Sequence, residues 1–227
     1  MPRASSLCLG EESAVSGERL GVYVDGFNLY HGLHDHSGCR LLWLDLVKLS
    51  RLLRPRSTVM KVHYFTAPVL NDPGAAQRQA TYQQALLASS PGLIEITQGR
   101  YQAKPVECRK CGHRRTSYEE KETDVSIASN IVADAAARTV DAMMLISADS
   151  DMLPAIRAAH RLQPELVVFA AFPPKRNSDE VKRELPASFH VGVTKVRAAQ
   201  LAPEVIDADE RSYKRPDKWA PEPTTAT

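Results

Sequence analysis

Several things are scarce in this chain. No apolar run approaches the ~20 residues that a helix needs to span a bilayer, so no membrane-crossing segment is expected. Residues 1 to 18, rich in Ser, Gly and Glu, carry no apolar stretch of the kind that directs secretion, which makes the cytoplasm the expected compartment. Charge of one sign is also lacking. With 29 Lys and Arg against 27 Asp and Glu, the net charge is only +2, which argues against a strongly basic nucleic-acid coat but leaves room for a local basic patch. The four cysteines, Cys8, Cys39, Cys108 and Cys111, are too few and too unevenly spaced for a disulfide framework. No Gly-x-Gly-x-x-Gly follows the first strand, no flavin signature is visible, and no internal repeat or RNA-recognition motif is present.

What remains is an ordinary globular composition, 43% hydrophobic and 25% charged, in 227 residues, enough for one α/β domain with an appendage. The chain alternates strand and helix patterns. Leu20 to Val24 reads as a first strand and Val59 to Phe65 as a second. Leu93 to Thr97 reads as a third, Met143 to Ile146 as a fourth, and Glu165 to Phe169 as a fifth. Helices are expected around Trp43 to Leu49 with Asp45 in the first turn, from Pro73 to about Ala88 with Asp72 as cap, from Thr123 to about Arg138, and from Pro154 to Arg161. A helix is also expected from Ser178 to Leu185, and Phe189 to Val193 is placed at the sheet edge. Such alternation predicts an α/β fold of three layers, with a central, mostly parallel sheet and helices on both faces.

Acids recur where strands end. Ser147-Ala148-Asp149-Ser150-Asp151 follows the apolar run Met143 to Ile146 directly, and Asp25-Gly26-Phe27-Asn28 follows Val24 in the same way. In an open parallel sheet the carboxyl ends of the strands form the binding crevice, so these acids are expected to face one cleft. Neighbouring anions repel unless a cation, a proton or a helix N-terminus offsets them. Two readings follow: a divalent metal site, or a capping turn in which Ser150 or Asp151 starts the helix near Met152. Asp124 allows the same pair of readings, because it falls in the first turn of its helix; Asp134, ten residues on, reads as a helix-surface residue. Asn28 and Ser147 are candidates for positioning water or phosphate.

These blocks resemble the NYN family of PIN-like proteins, which is related to a large group of metal-dependent ribonucleases. The resemblance runs through Val22 to Tyr30, Tyr64 to Ala67, Glu120 to Val125, and Ser147 to Asp151, in order, over about residues 20 to 195. It implies that Asp124 joins the acids after the first and fourth strands in one anionic cluster. Asp25, Asp124 and Asp149 would then be direct or water-mediated ligands of Mg²⁺ or Mn²⁺, with Asp151 completing the pocket. Hard carboxylate oxygens suit those ions, and such a site favours phosphodiester hydrolysis by water. The preference for RNA, in single strands, comes from the resemblance alone.

Three segments fall outside this core. The first 18 residues are expected to be a disordered leader to a domain spanning 19 to 202, and residues 203 to 227 an extended tail, with Trp219 either docked or stacking on a base. About 104 to 118 should form a hairpin insertion carrying Cys108 and Cys111. That pair is half of a structural zinc site, or a reduced thiol pair on a solvated turn. His113 would be a third ligand and His63, Cys39 or a second subunit of a homo-oligomer a source for the fourth, although His63 in the second strand reads more simply as a packed or hydrogen-bonded histidine. The loop with Lys175, Arg176 and Asn177 is a candidate phosphate contact. Two rival functions stay open: an NYN-like scaffold that binds RNA or protein without cutting, and an NADH-dependent hydroxylase of a pyridine compound.

Overall fold

The first strand, β1 (Arg19–Asp25), is buried on both faces because its side chains alternate between two cores. Leu20, Val22 and Val24 enter one core and Tyr23 the other. A strand apolar on both faces belongs in the middle of a parallel sheet covered by helices. The computed structural model describes residues 17–107 and 111–220, less the side chains of residues 115, 117, 119 and 120. The expectations for residues 1 to 16, Cys108, and 221 to 227 lie outside the described residues.

After β1 the chain runs through α1 (Gly26–Ser37), α2 (Leu46–Leu53), β2 (Thr58–Thr66), α3 (Pro73–Ser89) and β3 (Ile94–Gln98). A separate two-stranded excursion follows, β4 (Arg100–Glu107) and β5 (Arg114–Lys121), then α4 (Thr123–Ala137) and β6 (Ala142–Ile146). A short 3₁₀ turn (Ser150–Met152) leads into α5 (Leu153–Leu162), β7 (Val167–Phe172), α6 (Asp179–Glu184), β8 (Phe189–His190) and α7 (Val193–Ala198). The described chain ends with β9 (Glu204–Ile206), β10 (Ser212–Lys214) and a turn at Asp217–Trp219.

The central sheet has six strands in the order β3-β2-β1-β6-β7-β8, and every pairing in it is parallel. The chain first builds outward from β1 to β2 and β3, then crosses back to place β6 on the other flank of β1. The carboxyl ends of β1 and β6 therefore form the topological switch point, where open α/β sheets leave a crevice. One core packs residues from α1, α2, α3 and α7 against the sheet, and the other packs residues from α4, α5 and α6. This is the three-layer α/β arrangement read from the sequence.

Local chemistry accounts for the helix starts. Asp72 caps α3 by accepting the Ala75 N–H at 2.8 Å, with Pro73 in the first turn, as the sequence suggests. Asp45 precedes α2 as its cap, accepting the Lys48 N–H at 2.9 Å, rather than lying inside its first turn. The helix therefore begins later than its apolar pattern indicates. Gly26 is needed for closeness, not for a sharp turn: a Cβ there would sit 2.5 Å from the Phe65 carbonyl oxygen at the end of β2.

Residues 203 to 220 are not an extended tail. β9 and β10 pair antiparallel and pack on α3. Their connection is held by Asp207, whose Oδ1 accepts the N–H groups of Asp209 and Arg211, both at 2.9 Å. Its Oδ2 accepts the Tyr213 hydroxyl at 2.9 Å. Trp219 is docked at 8% exposure, its ring 5.8 Å from that of Tyr82 and 6.3 Å from that of Trp43. Polar, Pro-rich composition concealed a short hairpin whose few apolar side chains, Val205 and Tyr213, join a core built elsewhere. Among the described residues no helix is long and apolar enough to cross a membrane.

Candidate functional site: an acidic cleft at the switch point

Asp25 closes β1 and caps α1, its Oδ1 accepting the Asn28 N–H at 3.0 Å. Its Oδ2 accepts the Ser147 hydroxyl at 2.9 Å, and Ser147 Oγ in turn accepts the Asp149 N–H at 3.0 Å. Asn28 Oδ1 accepts the Ala148 N–H at 3.2 Å. Together these bonds join the ends of β1 and β6 across the switch point. Ser147 is fully buried, so its expected contact with substrate is not available; it fixes Asp25 and Asp149 relative to one another. Asn28 lines the cleft and also ties the two loops together.

Asp149 Oδ1 accepts the Asp151 N–H at 2.9 Å and caps the 3₁₀ turn, the task the capping alternative gave to Ser150 or Asp151. Capping and facing the cleft are thus compatible in one residue. Asp25, Asp124 and Asp149 line the same cleft, of about 650 Å³. Asp151 is exposed in the turn and does not line it. In the basic loop, Arg176 lines the cleft while Lys175 is exposed, with a left-handed backbone (φ 61°), and does not. Arg176 Nη2 donates to Asp35 Oδ2 at 2.5 Å, and its buried Nε finds no hydrogen-bond partner among the described residues.

The electrostatics centre on Asp25, only 6% exposed. Burial pushes its carboxyl above the usual range, and the charge of Asp149 adds to this; N–H groups of Asn28 and Phe27 and the Ser147 hydroxyl only partly oppose it. Among the described residues, none of the groups that hydrogen-bond Asp25 or Asp149 is a cation. No three His, Cys, Asp or Glu side chains among the described residues form a group that could hold a metal by themselves. The cleft therefore offers two coupled carboxylates, with Asp124 elsewhere on its wall. That donor set suits a small hard cation that retains waters and takes further oxygens from a phosphate.

Two residues that sequence reasoning passed over also line the cleft: Tyr101 on β4 and Tyr118 on β5. Tyr118 pairs across the ladder with Ala103, which places the two rings as diagonal neighbours on one face of the hairpin. Tyr118 ends the stretch expected to form the hairpin insertion and Tyr101 lies just before it begins, so no pattern within that stretch pairs them. Both also line a second, mostly apolar cavity of about 510 Å³ that adjoins the cleft. Of the expected zinc pair, Cys111 is exposed and Cys108 lies outside the described residues. Asp134, expected on a helix surface, is instead turned inward. It accepts the Tyr23 hydroxyl at 2.6 Å and lies 3.5 Å from His63 Nε2, so His63 is the hydrogen-bonded histidine the sequence suggested.

The family model of the NYN domain matches residues 19–191. The chain belongs to the NYN domain family. It therefore has the nuclease-like fold of that family. It is also similar to a 6-hydroxy-3-succinoylpyridine 3-monooxygenase from Pseudomonas putida, with 26% identity over 245 residues, covering 90% of this chain and 76% of that protein. Among solved structures, a protein of unknown function from Vibrio parahaemolyticus superposes with a TM-score of 0.53 at 17% identity. That match covers 79% of this chain and 96% of the other, and it bears on the fold alone.

Proposed function

We propose that this NYN protein is a metal-dependent ribonuclease that hydrolyses phosphodiester bonds of single-stranded RNA in the acidic cleft. The observation that carries the reading is the pairing of Asp25 and Asp149 through Ser147 at the switch point, two adjoining carboxylates with no cation bonded to either among the described residues. Such a pair is costly in isolation and favourable around a divalent ion. Asp25 and Asp149 would hold Mg²⁺ or Mn²⁺, and Asp124 would reach it through water. When bound, the ion would lower the pKa of a coordinated water and stabilise charge on the leaving oxygen.

The chain's own groups do the positioning. Ser147 sets the orientation of both acids, and Asn28 holds the 148–149 backbone against α1. Arg176 presents a guanidinium on the cleft wall, anchored by Asp35, where it can donate to a phosphate oxygen. Gly32 lets this loop approach: a Cβ there would lie 2.6 Å from the Pro174 carbonyl oxygen.

The test is incubation of metal-stripped protein with end-labelled single-stranded RNA, restoring Mg²⁺ or Mn²⁺, beside the Asp149→Asn variant. Asn retains the capping oxygen and removes the charge. Cleavage that requires both the metal and Asp149 supports the reading. RNA binding without cleavage at any metal concentration would replace it with a non-catalytic scaffold. A second reading, oxidation of a pyridine compound, is favoured by the name of the Pseudomonas relative and by the apolar cavity beside the cleft. NADH consumption on adding a hydroxypyridine, with RNA untouched, would establish that reading instead.

A further inference from the structure

We propose that the apolar cavity beside the acidic cleft is a base pocket, which receives the nucleobase of an RNA strand whose phosphate lies among the acids. This rests on the ribonuclease reading and adds to it the part of the substrate that the cavity holds. Continuity is the first argument. Phe27, His31, Tyr101 and Tyr118 line both spaces, so a nucleotide can place its phosphate in one and its base in the other without crossing a barrier.

The lining is the second. Stacking on aromatic side chains is the general means of holding unpaired bases. Along α1 the rings of Phe27 and His31 lie 6.5 Å apart at an interplanar angle of 21°, and Tyr30 meets His31 edge-on at 5.4 Å. The deeper wall is aromatic too and already rigid. Tyr82 donates its hydroxyl to the Leu44 carbonyl at 2.7 Å and packs edge-on against Trp219. A volume of about 510 Å³ falls within the ~300–1,000 Å³ of ordinary small-molecule sites, which are likewise mostly apolar with a few polar groups.

The polar side chains define what the pocket reads. Gln79 is spent within the protein: its Oε1 accepts the Val69 N–H, and its amide donates to Thr66 Oγ1 and the Ala67 carbonyl. Asp72 Oδ1 is committed to the Ala75 N–H. Asn71, Arg78 and Lys218 also line the cavity, where they can meet a base edge, while the aromatic walls supply stacking area. Purines are held more tightly than pyrimidines.

Trp219, in the wall, is a built-in reporter. Full-length protein in Mg²⁺ is titrated with adenosine 5′-monophosphate, ribose 5-phosphate and pyridine-3-carboxylate while tryptophan fluorescence is followed. The nucleotide should change the emission and bind at least about tenfold more tightly than the sugar phosphate, the scale of one lost stacked base. Ala75→Phe, which fills the cavity from α3, and Tyr118→Ala, on an exposed hairpin position, should each weaken nucleotide binding by several fold. Equal binding of the two phosphates, tighter binding of the pyridine acid, or insensitivity to both variants would overturn the proposal. Cleavage of abasic and intact RNA at equal rates, in wild type and both variants, would remove the pocket and leave the nuclease. Nucleotide binding with no RNA cleavage under any metal would keep the pocket and remove the nuclease.

Discussion

Asp25 and Asp134 are both aspartates on the α4 side of the central sheet, yet their surroundings are opposite. Asp134 has donors on every side. Burial works against its charge, but hydrogen bonds from His63, Tyr23 and Thr139 outweigh it and hold its carboxyl below the usual range. Asp25 is more deeply buried, has only neutral donors and a second carboxylate nearby, and its carboxyl is raised. Asp134 is an acid satisfied by its own protein. Asp25 has no cation among its hydrogen-bond partners in the described residues, and it is the acid at the switch point. A buried carboxylate left short of positive charge marks a site; one with a full set of donors marks structure.

The comparison breaks most visibly if the acids are exchanged in effect. Asp149→Asn should reduce RNA cleavage by at least about 100-fold, the range for losing a group that holds or orients a metal, while its melting temperature at neutral pH stays level or rises. Asp134→Ala should do the reverse. It should cost on the order of 2 kcal/mol, typical of a hydrogen-bonded charged group left without its partner, lowering the melting temperature by several degrees with cleavage rates at 25 °C nearly unchanged. Stability by thermal melts and single-turnover cleavage on the same preparations would separate the two roles.

A pH series sharpens the contrast. Because the folded-state pKa of Asp134 is lowered, the folded protein binds fewer protons there than the unfolded chain. Its contribution is fully present above the unfolded carboxyl value near pH 4 and is lost as pH falls through the folded value. The stability difference between wild type and Asp134→Asn, measured by denaturant titration, should therefore shrink as pH falls below about 4. A difference that grows in acid would reverse the assignment. The smallest effect is expected for Tyr23→Phe, which removes one donor to Asp134 and should cost about 1 kcal/mol without affecting cleavage.

Legibility in the sequence followed the physics of each element. The strands, the parallel order and the acids at strand ends were readable because a buried strand leaves an unbroken apolar run and Asp25 and Asp149 interrupt it at once. Partner choice was not readable. Ser147 looked like a substrate contact until its hydroxyl proved to bridge Asp25 and Asp149, bonds between segments 122 residues apart. Asp134 looked like a surface acid because helix periodicity cannot show that Tyr23 and His63 stand beneath it. Tyr101 and Tyr118 were hidden by their charged neighbours, and the β9–β10 hairpin by its polar composition. The roles of Ser147 and Asp134 are set by distant segments, which local pattern does not show.

The most direct test of the account is a Mn²⁺ titration of metal-stripped wild type, Asp149→Asn and Asp134→Asn, followed by calorimetry. If Asp25 and Asp149 form the incomplete site, wild type and Asp134→Asn bind the ion with similar affinity, and Asp149→Asn binds it at least about tenfold more weakly. Equal binding by all three proteins, or loss confined to Asp134→Asn, would contradict it.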